Sequence, residues 1–380
     1  MAEELRARVE LTVSCRDTDR LAKVEGAGEV HDGVQLMHNG VRIEEGCYYG
    51  EWMTEIIRRL GGHHEPQEEV VVHAVLEQLA GSAAAPVVVE LGAFWSYYAL
   101  WALRRLPCGR AILVEPDPNN LAVGRRNFAL NGCHGEFHHA SLGAAPGPPV
   151  PFVCESDGVT RPVATESLAS VLEKSGVAHA DVVFADIQGA ELPLLEGALP
   201  LFTSGRVRFL VISTHHHSIS GDPLTHQRCL ELLVAAGAHI VAEHTVAESF
   251  SGDGLIAASF DERDRSLSVP LARARTGGSL FPDPLYDVAR LGEELAAARD
   301  ELAGARAELA ATRGELARVQ AAASPARPGL RTRAATVVRA RLAGTAVEAP
   351  LRAGIHRLRR MLARRHGPAA EPGGGAGPAG

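Results

Sequence analysis

Asp186 ends the segment ADVVFAD, and about thirty residues later come three successive histidines, His215, His216 and His217, in LVISTHHHSIS. A neutral imidazole near pH 7 can take a proton from a hydroxyl, and a carboxylate beside it can orient that hydroxyl or act as the base itself. The same oxygen and nitrogen donors suit a divalent cation, with Asp186 and His215 as its ligands. Residue types alone leave three roles open for this pair: general base (His215 or His217, with Asp186), metal ligation, or hydrogen bonding. Two further carboxylates stand at the ends of apolar segments, Glu90 in VVVELG and Glu115 in ILVEPDP. They lie about 25 residues apart, the spacing at which a second strand delivers an acid to both hydroxyls of a ribose. Gly92 follows the first of them.

A second group precedes a helix. His63, His64 and Glu65 in HHEPQEE run into Pro66, a residue suited to the first turn, with Glu68 and Glu69 complementing the helix N-terminus. These three residues serve equally as a substrate lid or as a solvated helix start. Tyr49 and Trp52, in CYYGEWM, offer ring faces to a sugar or to the core.

The elements that must position these groups are legible from residue 86 to residue 262. Apolar segments at 86–91, 111–115, 135–140, 181–186, 207–213, 239–244 and 254–260 read as strands. Helical patterns at 95–105, 118–130, 165–174, 190–198 and 223–236 separate them. Such alternation implies an α/β, doubly wound, mostly parallel sheet, which places Glu90, Glu115, Asp186 and the histidines on one rim at the strands' carboxyl ends. The short loop between the last two strands makes one of them antiparallel. A pyrophosphate would require more glycines than Gly92 and a free helix N-terminus, so the first corner suits an adenosine moiety without phosphates. The missing G-x-G-x-x-G also argues against a dinucleotide oxidoreductase.

The expected organisation is an N-terminal cap or substrate segment (1–85), the sheet domain (86–262), a linker (263–286), a coiled coil (287–320) and an Arg-rich, partly disordered tail (321–380). In the coil, Val288, Leu295, Leu302, Leu309 and Leu316 recur at a, and Leu291, Ala298, Ala305, Thr312 and Val319 at d. Position g holds Glu294, Glu301, Glu308 and Glu315; position e holds Arg299, Arg306, Arg313 and Gln320. In a parallel pair each g glutamate meets the e′ residue five positions on, which points to a homodimer through 287–320. A lone solvated helix and a helix docked on its own domain are the other readings. The net charge of −8 conceals eleven arginines against two glutamates after residue 320. That tail suits an anionic membrane face or an acidic partner, or has no single role; no nucleic acid is expected. Six scattered cysteines without a CxxC pair, and an N-terminus lacking an apolar h-region, fit a cytoplasmic location, with contact to the inner membrane face as an extension.

Three stretches together, VVVELGAFWSYYALWAL, VEPDPNNLAVGRRNFALNG and RPVATESLASVLEKSGVAHADVVFADIQGAELPLLEGA, resemble the FkbM family of S-adenosylmethionine-dependent methyltransferases over about 45–260. The resemblance implies a class I methyltransferase (Rossmann-like) fold and O-methylation of a sugar hydroxyl on a glycan or glycosylated natural product. It implies that Glu90 and Gly92 belong to the first cofactor motif and Glu115 to the ribose contact. Ala140 and Ser141 then lie at the adenine edge and Asp186 on the substrate side. The chain departs from the family at Phe94 and Ser96, where an asparagine and a second glycine are usual, and at Gln188, where a glutamate is usual. A different class of function is a non-catalytic adenosine-binding or coiled-coil scaffold protein.

Overall fold

The computed structural model describes residues 3–82, 85–106, 109–274, 280 and 284–322. The chain divides into two compact units, Met1–Asp287 and Val288–Gly380. In the first, the N-terminal part comprises α1 (Glu3–Ser14), a small antiparallel sheet of β1 (Val30–His31), β2 (Val34–Leu36) and β3 (Arg42–Glu44), then α2 (Glu51–Arg59) and α3 (Pro66–Ala80). There follow β4 (Val87–Leu91), α4 (Tyr97–Arg105), β5 (Arg110–Val114), α5 (Pro118–Leu130) and β6 (Glu136–His138). Next are β7 (Ser141–Leu142), β8 (Gly147–Val153), β9 (Thr160–Glu166), α6 (Leu168–Lys174), β10 (Ala180–Ala185) and α7 (Glu191–Thr203). The unit continues with β11 (Val207–Thr214), α8 (His217–Ser220), α9 (Thr225–Ala235), β12 (His239–His244) and β13 (Gly254–Ser259).

The central sheet has seven strands in the order β12-β13-β11-β10-β4-β5-β6. All pairings from β11 through β6 are parallel, while β13 is antiparallel to both β11 and β12. This is the doubly wound sheet expected from the sequence, and the order reverses between β4 and β10, where Leu91 pairs with Ala185. A crevice opens outside the strand ends at such a reversal. Burial on both faces explains why the strands read as continuous apolar runs. Along β4, Val88 faces one core layer while Val87, Val89 and Leu91 face the other; along β11, Phe209 and Val211 alternate with Leu210 and Ile212. The first layer includes α3, α4 and the N-terminal segment; the second is covered by α6, α7 and α9.

Two features escape the pattern of the sequence. The seven expected strands are present, but β8 and β9 form a further hairpin, joined to β7 as a second small sheet. Pro148, Pro149, Pro151 and Pro162 argue against strands; the first three lie in the outer strand β8, whose free side need not donate to a ladder, and Pro162 of β9 stands opposite Pro151. The N-terminus forms a helix, α1, whose alternating charges disguise it. Thr12 Oγ1 donates to the Phe250 carbonyl at 2.8 Å, and Arg8 donates to the Ser251 carbonyl at 2.8 Å. Gln67, in the first turn of α3, makes a stronger joint. Its amide nitrogen donates to the Glu248 and Ala272 carbonyls (3.2 and 2.8 Å), and its oxygen accepts from the Phe250 N–H (2.8 Å). These bonds seat the N-terminal segment over the carboxyl ends of the strands.

The second unit contains most of α10 (Pro284–Ala322), a helix of 39 residues and therefore about 58 Å long. Leu291, Leu295, Leu302 and Leu309 lie along it between 41% and 51% exposed. The side chains of Val288, Leu316, Val319 and Gln320, and the Arg-rich tail with its EPGGGAGPAG end, lie outside the described residues. Among the described residues, no helix is long and apolar enough to cross a membrane.

Candidate functional site

The first corner is built by backbone proximity. Gly92 has φ +74°, and a Cβ added there would lie 1.7 Å from the Asp186 carbonyl oxygen, so a side chain is excluded. The N–H groups of Gly92 and Ala93 both donate to the Val114 carbonyl at 2.9 Å, which ties the corner to β5. Phe94 and Ser96, the two departures from the family pattern, also have positive φ, +32° and +63°. Asparagine and glycine tolerate this region best, so Phe94 and Ser96 are side chains ill suited to the backbone they occupy. Gly124 of α5 accommodates the corner: a Cβ there would meet Ser96 Oγ at 2.3 Å and the Phe94 carbonyl at 2.9 Å.

Both strand-end acids are buried and hydrogen-bonded. Glu90 accepts from the Tyr98 and Ala99 N–H groups (3.3 and 3.0 Å) at the start of α4, and burial pushes its carboxyl up to about 8. Glu115 accepts from Asp117 N–H (2.9 Å) and Phe94 N–H (3.0 Å), and burial pushes it up to about 7. Asp117 caps α5 through the Asn119 and Asn120 N–H groups and also accepts from Ser156, so it anchors the loop leaving β8. The result is a cleft of about 650 Å³ lined by Glu90, Gly92, Phe94, Glu115, Ser141 and Asp186, with Phe152 from β8 at its side. Ala140 is buried in the second core layer beneath Ser141 and does not line it.

A smaller chamber of about 240 Å³ shares Tyr48, Tyr49, His64, Glu65, Glu155 and Asp186 with the cleft and adds Arg8, Trp52 and Asp253. Asp186 stands at the junction. Behind it is His215, fully buried, with Nδ1 2.5 Å from Glu191 Oε1 and Nε2 3.1 Å from Asp186 Oδ1. Asp253 Oδ1 is 3.7 Å from the same Nε2. Burial disfavours a charged ring, but the Asp186, Glu191 and Asp253 carboxylates outweigh it and hold His215 well above the ordinary histidine range. This environment corrects the expectation of a neutral base at His215, because a protonated ring between carboxylates donates and cannot accept. His217 is exposed and lines a separate cleft of about 430 Å³ with His216, Asp222 and His226; it is not among the residues lining the chamber that Asp186 shares. One histidine of the three therefore meets Asp186.

His64, Glu65, Tyr49 and Trp52 line the chamber, whereas His63 is buried behind it. His38, His63 and Glu69 are the group among the described residues whose atoms come close enough to share a cation. The His38 and His63 rings, however, stack at 3.8 Å with 23° between their planes. Ring nitrogens bind metals in the ring plane, so two rings so nearly parallel cannot both aim at one ion. The cluster is better described as a donor shell around Glu69. Burial opposes ionisation of Glu69, and contacts from His63 and His64 overcome it and hold its pKa well below the usual value. Burial lowers His38 to about 3, so that ring is neutral.

Sequence reasoning missed Glu191 as a partner of His215, and also Asp253, Glu69 and Glu155. Glu191 had a signal, since it opens the helix directly after Asp186. Asp253 had none in the local sequence; it immediately precedes β13, whose Gly254 pairs with Thr214 of β11 and so brings it beside His215. Gln188, with φ +49°, places its amide nitrogen 3.4 Å from Asp186 Oδ1, where the family's glutamate would add another negative charge.

Residues 80–240 match the family model described as "Methyltransferase FkbM domain". No curated protein matches the chain. Similar solved structures include a precorrin-6y C5,15-methyltransferase from Geobacter metallireducens GS-15, at 15% identity and TM-score 0.32, covering 50% of this chain and 86% of that one. A putative O-methyltransferase from Klebsiella pneumoniae is similar at 18% identity and TM-score 0.33, covering 49% and 78%. An O-methyltransferase from Bacillus cereus, solved in complex with SAH, has 16% identity and TM-score 0.33, covering 49% and 79%.

Proposed function

Because residues 80–240 are an FkbM methyltransferase domain, we propose that this S-adenosylmethionine-dependent enzyme methylates a hydroxyl, most simply on a sugar ring, with Asp186 as the group that takes the proton. The observation that carries the reading is the Glu191–His215–Asp186 chain at the junction of the cleft and the chamber. A cofactor fits the larger cleft: Gly92 leaves room where a Cβ would intrude, and Glu115 presents an acceptor carboxylate at the end of β5. Glu115 would hold the ribose, Ser141 the adenine edge and the Glu90–Gly92 corner the remainder. When bound, the cofactor supplies an electrophilic methyl group. The chain's task is then to hold an acceptor oxygen in line with it, remove its proton and exclude water.

Asp186 suits the proton-accepting role because it lines both the cleft and the chamber, with His215 Nε2 3.1 Å behind its carboxylate. Glu191 holds the ring through Nδ1, which leaves Nε2 close to Asp186 without hydrogen-bond geometry in the resting site. Tyr49 and Trp52 give the chamber aromatic faces, and Glu65, Glu155 and Asp253 give it acceptors; both suit a polyhydroxylated ring. Full chain in which Asp186 is replaced by Asn should bind S-adenosylhomocysteine within about threefold of wild type and lose roughly 100-fold or more of methyl transfer to glycoside acceptors. Transfer retained by this variant would end Asp186's role. Absence of S-adenosylhomocysteine binding by wild type in a calorimetric titration would instead favour a non-catalytic scaffold.

For α10 the reading is a parallel homodimer. The exposed leucine stripe needs a partner, and the charges select its orientation. In a parallel pair Glu294, Glu301 and Glu308 meet Arg299, Arg306 and Arg313 of a second copy. An antiparallel pair would instead set glutamates against glutamates and arginines against arginines.

A further inference from the structure

A second chain of carboxylate, imidazole and carboxylate reaches the same chamber. His64 Nδ1 lies 2.6 Å from Glu69 Oε1, and its Nε2 lies 3.3 Å from Glu65 Oε2. Glu69 is wholly buried and Glu65 borders the chamber, so the order from interior to surface repeats that of Glu191, His215 and Asp186. The ring sits in an aromatic box. Centroids of Trp95, Tyr97, Tyr48 and Tyr98 lie 4.8, 5.2, 5.7 and 5.7 Å from that of His64. Such faces favour a cation. Burial opposes charging of His64, but Glu65 and Glu69 overcome it and push the ring up to about 10. The box gives the bulky residues after Gly92 a packing partner: Trp95, Tyr97 and Tyr98 surround the His64 ring, and Phe94, Trp95 and Tyr98 also line the larger cleft.

Glu65 itself behaves oddly for its position. It occupies the N-cap of α3, where Ser, Thr, Asp or Asn would satisfy the first N–H groups, yet its side chain makes no capping bond. Its Oε2 accepts instead from the Tyr98 hydroxyl at 3.2 Å and faces His64. A carboxylate that makes no capping bond, is backed by His64 and borders the chamber is placed for a ligand.

We infer that Glu65 is a positioning residue for the acceptor, receiving a donor group next to the hydroxyl that meets Asp186. The acceptor class is then a ring carrying at least two neighbouring hydroxyls, because a carboxylate can only accept and two of them need two donors. This rests on the reading of Asp186 given above.

The test uses full-length chain saturated with S-adenosylhomocysteine, and the probes are methyl β-D-glucopyranoside and its 2-, 3-, 4- and 6-deoxy analogues, followed by saturation-transfer NMR. Wild type should bind the parent and lose roughly tenfold for two analogues deoxygenated at neighbouring carbons. Glu65→Gln should lose the discrimination against one of the two and keep the other, with S-adenosylhomocysteine affinity unchanged. A Glu65→Gln chain that keeps both preferences overturns the role of Glu65 and leaves the Asp186 reading standing. Binding of no glycoside by wild type overturns the diol acceptor; cofactor titration then judges the methyltransferase reading separately. Nitrogen-15 spectra of the histidine rings provide a readout that packing alone would not move. His64 should stay doubly protonated through pH 9 in wild type and titrate lower in Glu65→Gln. Titration near 6.5 in wild type would refute the charged chain.

Discussion

Ser96→Gly should stabilise the protein, although it removes a side chain from a buried corner. Ser96 holds φ +63°, a conformation that costs a residue with a Cβ about 1 kcal/mol. Its Oγ is buried without a hydrogen-bond partner, which costs about another 1 kcal/mol. Against this, glycine gives the unfolded chain more freedom, a loss of roughly 0.5–1 kcal/mol. The balance favours the variant by about 1 kcal/mol, which for a unit of this size raises Tm by roughly 2–4 °C. Scanning calorimetry with urea titration would measure it. The corner offers an internal control. Gly124→Ala should be strongly destabilising, since its Cβ would meet Ser96 Oγ at 2.3 Å and the Phe94 carbonyl at 2.9 Å. In the Ser96→Gly background only the milder contact remains, so the double variant should be more stable than the sum of the single effects. An unchanged or lower Tm for Ser96→Gly, together with strict additivity, would refute the account of this corner as a strained copy of a glycine-containing one.

Glu115 should make cofactor affinity depend on pH. Its pKa of about 7 exceeds the ordinary 4.5, so the stability tied to this group is complete below about 4.5 and lost as pH rises through about 7. Ribose hydroxyls donate to the ionised form, so S-adenosylhomocysteine affinity should run the other way, weakening up to roughly tenfold per unit below pH 7. Calorimetry from pH 5.5 to 8.5 would show it, and Glu115→Gln should flatten the profile. Gly92→Ala should weaken cofactor binding at least roughly tenfold, because avoiding a 1.7 Å contact with the Asp186 carbonyl requires β4 and β10 to part; unaltered affinity would contradict the close approach. Leu295→Asp combined with Leu302→Asp should convert a dimer to a monomer by light scattering, and a wild-type monomer would dismiss the coil.

The sheet was legible because each of its strands is buried on both faces and bounded by helices, so Val87, Val88 and Val89 could hardly be anything else. Glu115 and Asp186 followed, since a strand end fixes a side chain's place in this fold. The aromatic run after Gly92 was not legible in that way. Trp95 and Tyr97 have periodicity that says only that they are buried, and their partner, His64, lies some thirty residues upstream. The three histidines misled for a related reason: His215 directly follows β11 and is buried, while His217 begins a separate short helix and faces solvent. Neighbours in sequence parted where the secondary structure changed. Charge states were the least accessible, because His215 is raised by Asp186, Glu191 and Asp253 together, three carboxylates that come from separate segments of the chain.

Gln67 spreads mutational risk unevenly. All three of its bonds end on main-chain atoms of residues 248, 250 and 272, groups that every residue except proline presents alike. Those three positions can drift without disturbing the seat of the N-terminal segment. Position 67 cannot: glutamate of the same shape lacks the donor, and a shorter amide falls short. The joint is indifferent to sequence on one side and dependent on a single codon on the other.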